Sequence, residues 1–313
     1  MEQENQTVVT EFILLGFPGS LHLQISLFVL FLLMYILTVP GNVAITMLVV
    51  MHRRLHTPMY FFLSNLSFLE VWYTSASVPK ALAVFLGVSK TISFTGCLLQ
   101  MYFMFSLAST EYFLLSVMAY DRYLAICYPL RYSTIMNSSL SAGLALGSWV
   151  SGFLVIALLA SLIPGLSFCG PNVIDHFTCE IDSLIVLSCT DISLIELLGL
   201  IISVIVILGS CVITLLSYLY IISTILRIPS ATGRQRAFST CSSHLAVVLL
   251  WYGSTILLFV KPSARHSLEL TKTVNILNTV VTPLLNPFIY GLRNKDMKEA
   301  MRNTLRGRSN IVK

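Results

Sequence analysis

The chain has 313 residues, of which 56% are hydrophobic and only 11% charged, with a formal net charge of +5 and a mean hydropathy of +0.84. A water-soluble domain carries about 25% charged residues, so this composition excludes a soluble globular protein and makes the bilayer the main solvent. The basic balance is distributed as a membrane topology signal and gives no indication of nucleic-acid binding.

Residues 1–22 hold Glu2, Glu4 and Glu11 and no Lys or Arg. They lack the basic start and early apolar run of a cleaved leader, so an extracellular segment followed by an uncleaved anchor is expected. Asn5-Gln6-Thr7 in it is a glycosylation sequon,. A hydrocarbon core of ~30 Å needs about 20 apolar residues per helix. Seven such runs follow: Leu23–Val50, Pro58–Val78, Phe94–Ile126, Leu140–Ile163, Ile192–Ile225, Phe238–Val260 and Leu270–Tyr290. They are too long and continuous for barrel strands. The second and seventh are the least apolar, holding an acid or several prolines and asparagines. The predicted fold is an all-α membrane protein, a seven-transmembrane helix bundle over 23–291. In the tail, 292–313, Met297, Ala300 and Met301 share a face opposite basic residues, which predicts a short interfacial helix.

Basic residues cluster after runs one, three, five and seven: Arg53 and Arg54, Arg122 and Arg131, Arg227, Arg234 and Arg236, and seven more from Arg293 to Lys313. The alternate loops hold only Lys80, Lys90, Lys261, Arg265 and Lys272. The positive-inside rule places the N-terminus outside and the C-terminus in the cytoplasm of a multi-pass plasma-membrane protein. On that topology the sequons at Asn65 and Asn137 lie in the membrane and the cytoplasm, and are rejected.

Cys97, Cys169, Cys179 and Cys189 fall on the outer side, where bridges form; four cysteines allow three pairings. Cys127, Cys211 and Cys241 read as free, packed thiols. Asp175, His176, Glu180, Asp182 and Asp191 in the same outer loop read as solvated loop residues rather than a metal site.

Ionisable groups inside a membrane are costly and mark function. Glu70 and Glu111 lie mid-run, with Asn42 and Asn286 at comparable depth in runs one and seven. If they converge, two carboxylates cannot both stay charged unaided. Either one is protonated within a hydrogen-bonded network or a cation such as Na⁺ is held by Glu70, Glu111 and Asn286. Arg122, between Asp121 and Tyr123 at the inner end of run three, reads as a latch neutralised at rest and freed for a cytoplasmic partner, although a long basic chain at that depth also snorkels without function. Pro283 and Pro287 permit a kink that swings Tyr290, and Tyr218 is placed to meet it.

Together these residues resemble a rhodopsin-like G-protein-coupled receptor through Asn42, Cys97, Asp121-Arg122-Tyr123, Trp149 and Asn286-Pro287 to Tyr290. Within that class the chain resembles an olfactory receptor, of the larger tetrapod-type group. The marks are Leu55-His56-Thr57-Pro58-Met59-Tyr60, Met118 to Leu130, Ser217-Tyr218, Arg236 to His244, and Pro283 to Tyr290, in the expected order along most of the chain. Departures are small: Trp251-Tyr252-Gly253 stands for the family's Phe-Tyr-Gly, Arg236 for Lys and Glu70 for Asp. The resemblance implies the pairs Cys97–Cys179 and Cys169–Cys189, and an odorant and a stimulatory olfactory-type G protein as partners.

Counting turns outward from Arg122 places Met104, Phe105, Ala108, Ser109 and Tyr112 toward the bundle. The resemblance adds Ile202, Ser203 and Val206, then Tyr252, Thr255, Ile256 and Phe259, then Ile276 and Thr279. Such a lining suits a small, neutral, lipophilic ligand, and the acid that amine receptors place near Met104 is missing. A receptor of the same fold for a lipid, metabolite or peptide is the first alternative. A transporter predicts internal repeats, which the chain lacks. An enzyme predicts a nucleophile–base or metal-ligand motif, and none is present.

Overall fold

The computed structural model describes residues 9–17, 19–169, 171–259, 272–292, 294–305 and 307. The long helices are α1 (Leu21–Met51), α2 (Pro58–Phe85) and α3 (Phe94–Cys127). A short α4 (Pro129–Ile135) leads to α5 (Ser138–Ala160), and a short α6 (Ile181–Val186) to α7 (Ser193–Leu226). Then come α8 (Ala231–Phe259), α9 (272–292) and α10 (Lys295–Leu305).

Local sequence accounts for the helix starts. Ser20, Ser93 and Asn137 accept backbone N–H bonds from Leu23, Gly96 and Leu140, the capping that orphan amides of a first turn require,. Pro58 opens α2, where its missing N–H costs nothing,. Two helices outrun their apolar stretches. Helix α2 continues through Pro79 to Phe85, and α8 begins at Ala231 rather than Phe238. Backbone hydrogen bonding continues past the apolar boundary, so hydropathy marks the lipid-immersed part and not the helix.

Helices α1, α3, α5 and α7 are each long and apolar enough to cross a membrane. In α2 the shortfall has a structural reason: Ser67, Glu70, Thr74 and Ser77 are polar but buried inside the bundle. Helix α3 is the central post, with 67% of its apolar window buried against 11% for α1. It packs on α2, α5 and α7. The α3–α5 approach depends on Gly152, where an added Cβ would lie 2.7 Å from the Thr110 backbone nitrogen and 2.9 Å from the Ser106 carbonyl. Gly41 does the same for α1 and α9, against Pro287 at 3.1 Å.

Helix α9 carries π-helical turns at Leu277–Val281 and Pro287–Leu292 around an α turn, Thr282–Asn286. Helix α7 carries one at Val204–Leu208. The proline-associated kink predicted in run seven thus takes the form of widened turns.

One end of the bundle is capped by a three-stranded sheet that hydropathy does not forecast. β1 (Glu11–Leu14) runs antiparallel to β2 (Thr91–Ser93) and parallel to β3 (Val173–Ile174). Phe12 and Leu14 alternate inward and are fully buried, with Phe12 edge-on to Phe168 at 5.4 Å,. Disulfides Cys97–Cys179 and Cys169–Cys189 tie the same cap down.

Candidate functional site

The helices place most of the predicted ligand-contact residues on one wall. Met104, Tyr112, Val206 and Tyr252 share a buried cluster, with Ala108 and Ile202 packed against it. The Tyr112 and Tyr252 rings meet edge to face at 5.4 Å. The Tyr112 hydroxyl is hydrogen-bonded to Thr255 Oγ1, and the Tyr252 hydroxyl donates to Ser210 Oγ at 2.8 Å. Ser109 and Thr279 are buried, while Ser203 is half-buried. Phe105 packs toward the cap, and Ile276 packs toward Phe31 and Phe177. Ile256 is not brought to this wall. It is 55% exposed on the α8 face shared with Leu249, seven residues earlier, which is two helical turns and the same side,. The Phe259 side chain and Asn5 lie outside the described residues.

A separate groove of ≈510 Å³ opens on the outside of the bundle between α2 and α5. Asn65, Phe68, Trp72, Trp149, Val150 and Phe153 line it. The Trp149 indole donates to Asn65 Oδ1 at 3.1 Å. None of these residues belongs to the wall just described.

Below the wall, the acids and asparagines converge. Glu70, Glu111, Asn42 and Asn286 are all buried. Asn286 Nδ2 donates to Glu70 Oε1, and Asn42 Nδ2 donates to the Pro283 carbonyl at 3.0 Å, joining α1, α2 and α9. Glu70 Oε2, both Glu111 carboxyl oxygens, and the Asn42 and Asn286 carbonyl oxygens have no hydrogen-bond partner. This pocket of unpaired oxygens suits a hard cation or hydrogen-bond donors.

At the far end of α3, Arg122 Nε donates to Asp121 Oδ2 at 2.9 Å, and its Nη2 meets the same oxygen. Tyr132 of α4 donates to the other Asp121 oxygen at 2.7 Å. Asp121 and Arg122 are buried, whereas Tyr123 is half-buried with its ring against Tyr128 and Tyr220. The Tyr218 hydroxyl pairs with His244 Nδ1 at 2.7 Å and not with Tyr290. Tyr290 is buried with its hydroxyl unpaired. Helix α10 seats Met297 and Ala300 in the core while Met301 is 37% exposed. Tyr60 donates to Asn294 and Asp296 at its start.

The cap holds several residues that sequence reading missed or took as solvated. His176 is buried and stacked on Phe177 at 4.5 Å. The Thr178 backbone N–H donates to its Nδ1 at 3.1 Å, and the Thr178 hydroxyl donates to Glu180 at 3.0 Å. Burial, reinforced by the Lys272 charge, holds His176 down at about 4. Burial raises Glu180 to about 7,. Lys272 of α9 is buried, donating to Asp175 at 2.7 Å and the Gly16 carbonyl at 3.2 Å. Gln100 accepts the Cys179 N–H at 3.1 Å. A single Lys or His flanking an apolar run carried no signal of these partners, because the partners lie in distant segments.

A helical bundle with a polar-tipped apolar wall near one end and a buried, paired Asp121–Arg122 at the other is the architecture of a seven-helix membrane receptor. The family model for olfactory receptors matches residues 31–308. The chain is 65% identical over 308 residues to Olfactory receptor 6F1 of Homo sapiens, covering 98% of this chain and 100% of that one. It is 63% identical over 305 residues to Olfactory receptor 287 of Rattus norvegicus, covering 97% and 98%. To Olfactory receptor 6B1 of Homo sapiens it is 53% identical over 302 residues, covering 96% of each. The chain belongs to the olfactory receptor family. It is accordingly an odorant-sensing, rhodopsin-like G-protein-coupled receptor of the plasma membrane with seven spans, and not an enzyme.

Proposed function

We propose that this receptor binds small, neutral, lipophilic volatile ligands between α3, α7, α8 and α9, and activates a stimulatory, olfactory-type G protein that raises cAMP. The wall itself carries the ligand reading: among the described residues its polar groups are hydroxyls, and those of Tyr112, Thr255 and Tyr252 are already paired within the protein. A charged ligand would meet no charged side chain on the wall itself, at a large desolvation cost. A ligand of roughly ten heavy atoms binds with about −8 kcal/mol, near micromolar. It shifts the receptor only through preference for the active state.

The wall is coupled to the latch through α3, which carries both. The N-terminal, disulfide-bearing end faces outward and the latch faces the cytoplasm, as the basic loops require. There Leu130 of α4 stands 95% exposed near the latch, an apolar knob that suits a protein partner. Opening the Asp121–Arg122 pair frees the guanidinium for that partner. The test is cAMP in cells challenged with a broad panel of small volatile compounds. A dose-dependent rise is expected, and Arg122→Ala at equal surface level lowers it at least tenfold. A response that survives Arg122→Ala refutes the mechanism.

The unpaired oxygens of Glu70, Glu111 and Asn286 support a second element, a sodium ion in the bundle core. These three residues would hold it, and the cation would supply the charge that lets two buried acids stay ionised. Sodium stabilises the purified receptor thermally if this holds, and Glu70→Gln removes the dependence. Equal melting in sodium and in a bulky organic cation rejects it.

A further inference from the structure

At the inner end of α1, the turn Arg53–Leu55 buries Leu55 and leaves Arg53 and Arg54 exposed. Arg54 donates to Glu299 of α10 at 3.0 Å, and His52 is hydrogen-bonded to Thr304 at 2.8 Å. With Tyr60 bound to Asn294 and Asp296, these contacts fix α10 beside the turn. Met297 and Ala300 of α10 face the core, while Lys295, Lys298 and Arg302 are exposed. The last three stand at i, i+3 and i+7, one stripe of the helix. Glu299 borders that stripe, four residues after Lys295 and three before Arg302.

Five exposed cations, two on the turn and three on the helix, therefore share this corner. The acids beside them are already engaged, Glu299 by Arg54 and Asp296 by Tyr60. Among the described residues, Arg53, Lys295, Lys298 and Arg302 have no ion-pair partner. Hydrogen bonds hold these like charges together, so an anion bearing several charges relieves their repulsion. The lipid side of the corner is also marked. Met47, Val50 and Met51 of α1 are exposed just before Arg53, and Met301 is exposed one turn from Lys298,. The cations begin where the apolar surface stops, at the depth of the inner headgroups. A soluble anion meets the charge alone, whereas a lipid meets both surfaces.

We propose that the turn Arg53–Leu55 and α10 form a binding site for a multiply phosphorylated lipid headgroup of the inner leaflet, held by Arg53, Lys295, Lys298 and Arg302. Several phosphates on one headgroup engage several of these cations together, which a single phosphodiester does not. Glu299 sets a limit on the affinity, because it repels the headgroup and occupies Arg54. The site lies apart from the ligand wall and from Asp121 and Arg122, so its test needs no odorant.

The purified full-length receptor in detergent is titrated with dioctanoyl phosphatidylinositol bisphosphate, and the thermal midpoint is read against probe concentration. A saturable rise is expected. Dioctanoyl phosphatidylserine has the tails without the clustered phosphates, and inositol trisphosphate has the phosphates without the tails. Each binds roughly tenfold or more weakly. Lys295→Gln with Lys298→Gln and Arg302→Gln weakens the bisphosphate lipid roughly tenfold or more. Glu299→Gln tightens it. Arg227→Gln with Arg234→Gln, at the inner ends of α7 and α8, leaves it unchanged. An unaltered affinity in the α10 variant overturns the proposal. An equal loss in the α7–α8 variant also overturns it, since the attraction is then spread over the whole cytoplasmic face. Inositol trisphosphate binding as tightly as the lipid replaces the lipid with a soluble anion and overturns it too. If the triple variant does not fold, Glu299→Gln decides, and equal or weaker binding there rejects the site.

Discussion

At the disulfide end, His176, Lys272, Gln100 and Glu180 each have a partner, and two covalent bridges and a sheet hold those partners in place. In the middle of the bundle, Glu70, Glu111, Asn286, Trp251 and Tyr290 are equally buried yet keep unpaired polar atoms. Among the described residues, no buried side-chain polar atom of the cap lacks a partner, and a satisfied network is rigid. The core retains unpaired donors and acceptors beside the π turns of α9, so more than one pairing is open to it at low cost. The proposed mechanism uses both: a fixed mouth for the ligand, and an interior whose pairing the ligand changes.

The largest test of that contrast is covalent. Cys97→Ser opens the bridge to Cys179 across a sequence separation of 82. Losing such a bridge costs about 2–5 kcal/mol, so loss of surface receptor by flow cytometry is expected. Near-normal surface levels would show that the cap does not depend on it.

Next comes the packing of the core. Gly152→Ala drives a methyl into the Thr110 and Ser106 backbone. An expected loss of about 1–3 kcal/mol lowers the thermal midpoint in detergent. An unchanged midpoint would mean that α3 and α5 separate easily and that the bundle centre is softer than its packing implies.

The smallest effect is a pH response confined to the cap. Glu180 is raised to about 7, so it weakens the fold as pH rises from its ordinary 4.5 through 7,. His176 is lowered to about 4, so stability is lost as pH falls from its ordinary 6.5 through 4,. Between about 4.5 and 6.5 the two slopes oppose and nearly cancel. His176→Gln unmasks the glutamate, and the midpoint then climbs as pH drops from 7 to 4.5. Glu180→Gln unmasks the histidine, and the midpoint falls below pH 6.5. Each slope amounts to about 1 kcal/mol per pH unit. A flat profile in both variants would show that the two groups are solvated.

The seven apolar runs, the basic loops and the Asp121-Arg122-Tyr123 and Asn286-Pro287 segments were legible because each is local: a bilayer imposes length and charge on every span separately. Helical counting from Arg122 located Met104 and Tyr112 because α3 is regular over its whole length. Ile256, which the resemblance and not the counting assigned to the ligand, faces away from the wall, since the rotation of α8 about its own axis is set by its neighbours. Hydropathy also marked α8 as starting too late and α2 as ending too early, for it reports immersion and not hydrogen bonding.

The sequence by itself determined the membrane setting, the number of spans, the adjacent Asp121 and Arg122 and the presence of buried acids, all of which follow from residue chemistry within one segment. Only the tertiary structure decided that 11–14 forms the central strand of a cap and that Tyr218 pairs with His244 rather than Tyr290. It also decided that Lys272 closes on Asp175 and that the buried Trp251 N–H is left without a partner. Each of these depends on which distant segments meet in a water-poor interior, and there a polar atom's worth is set by the partner that packing brings to it.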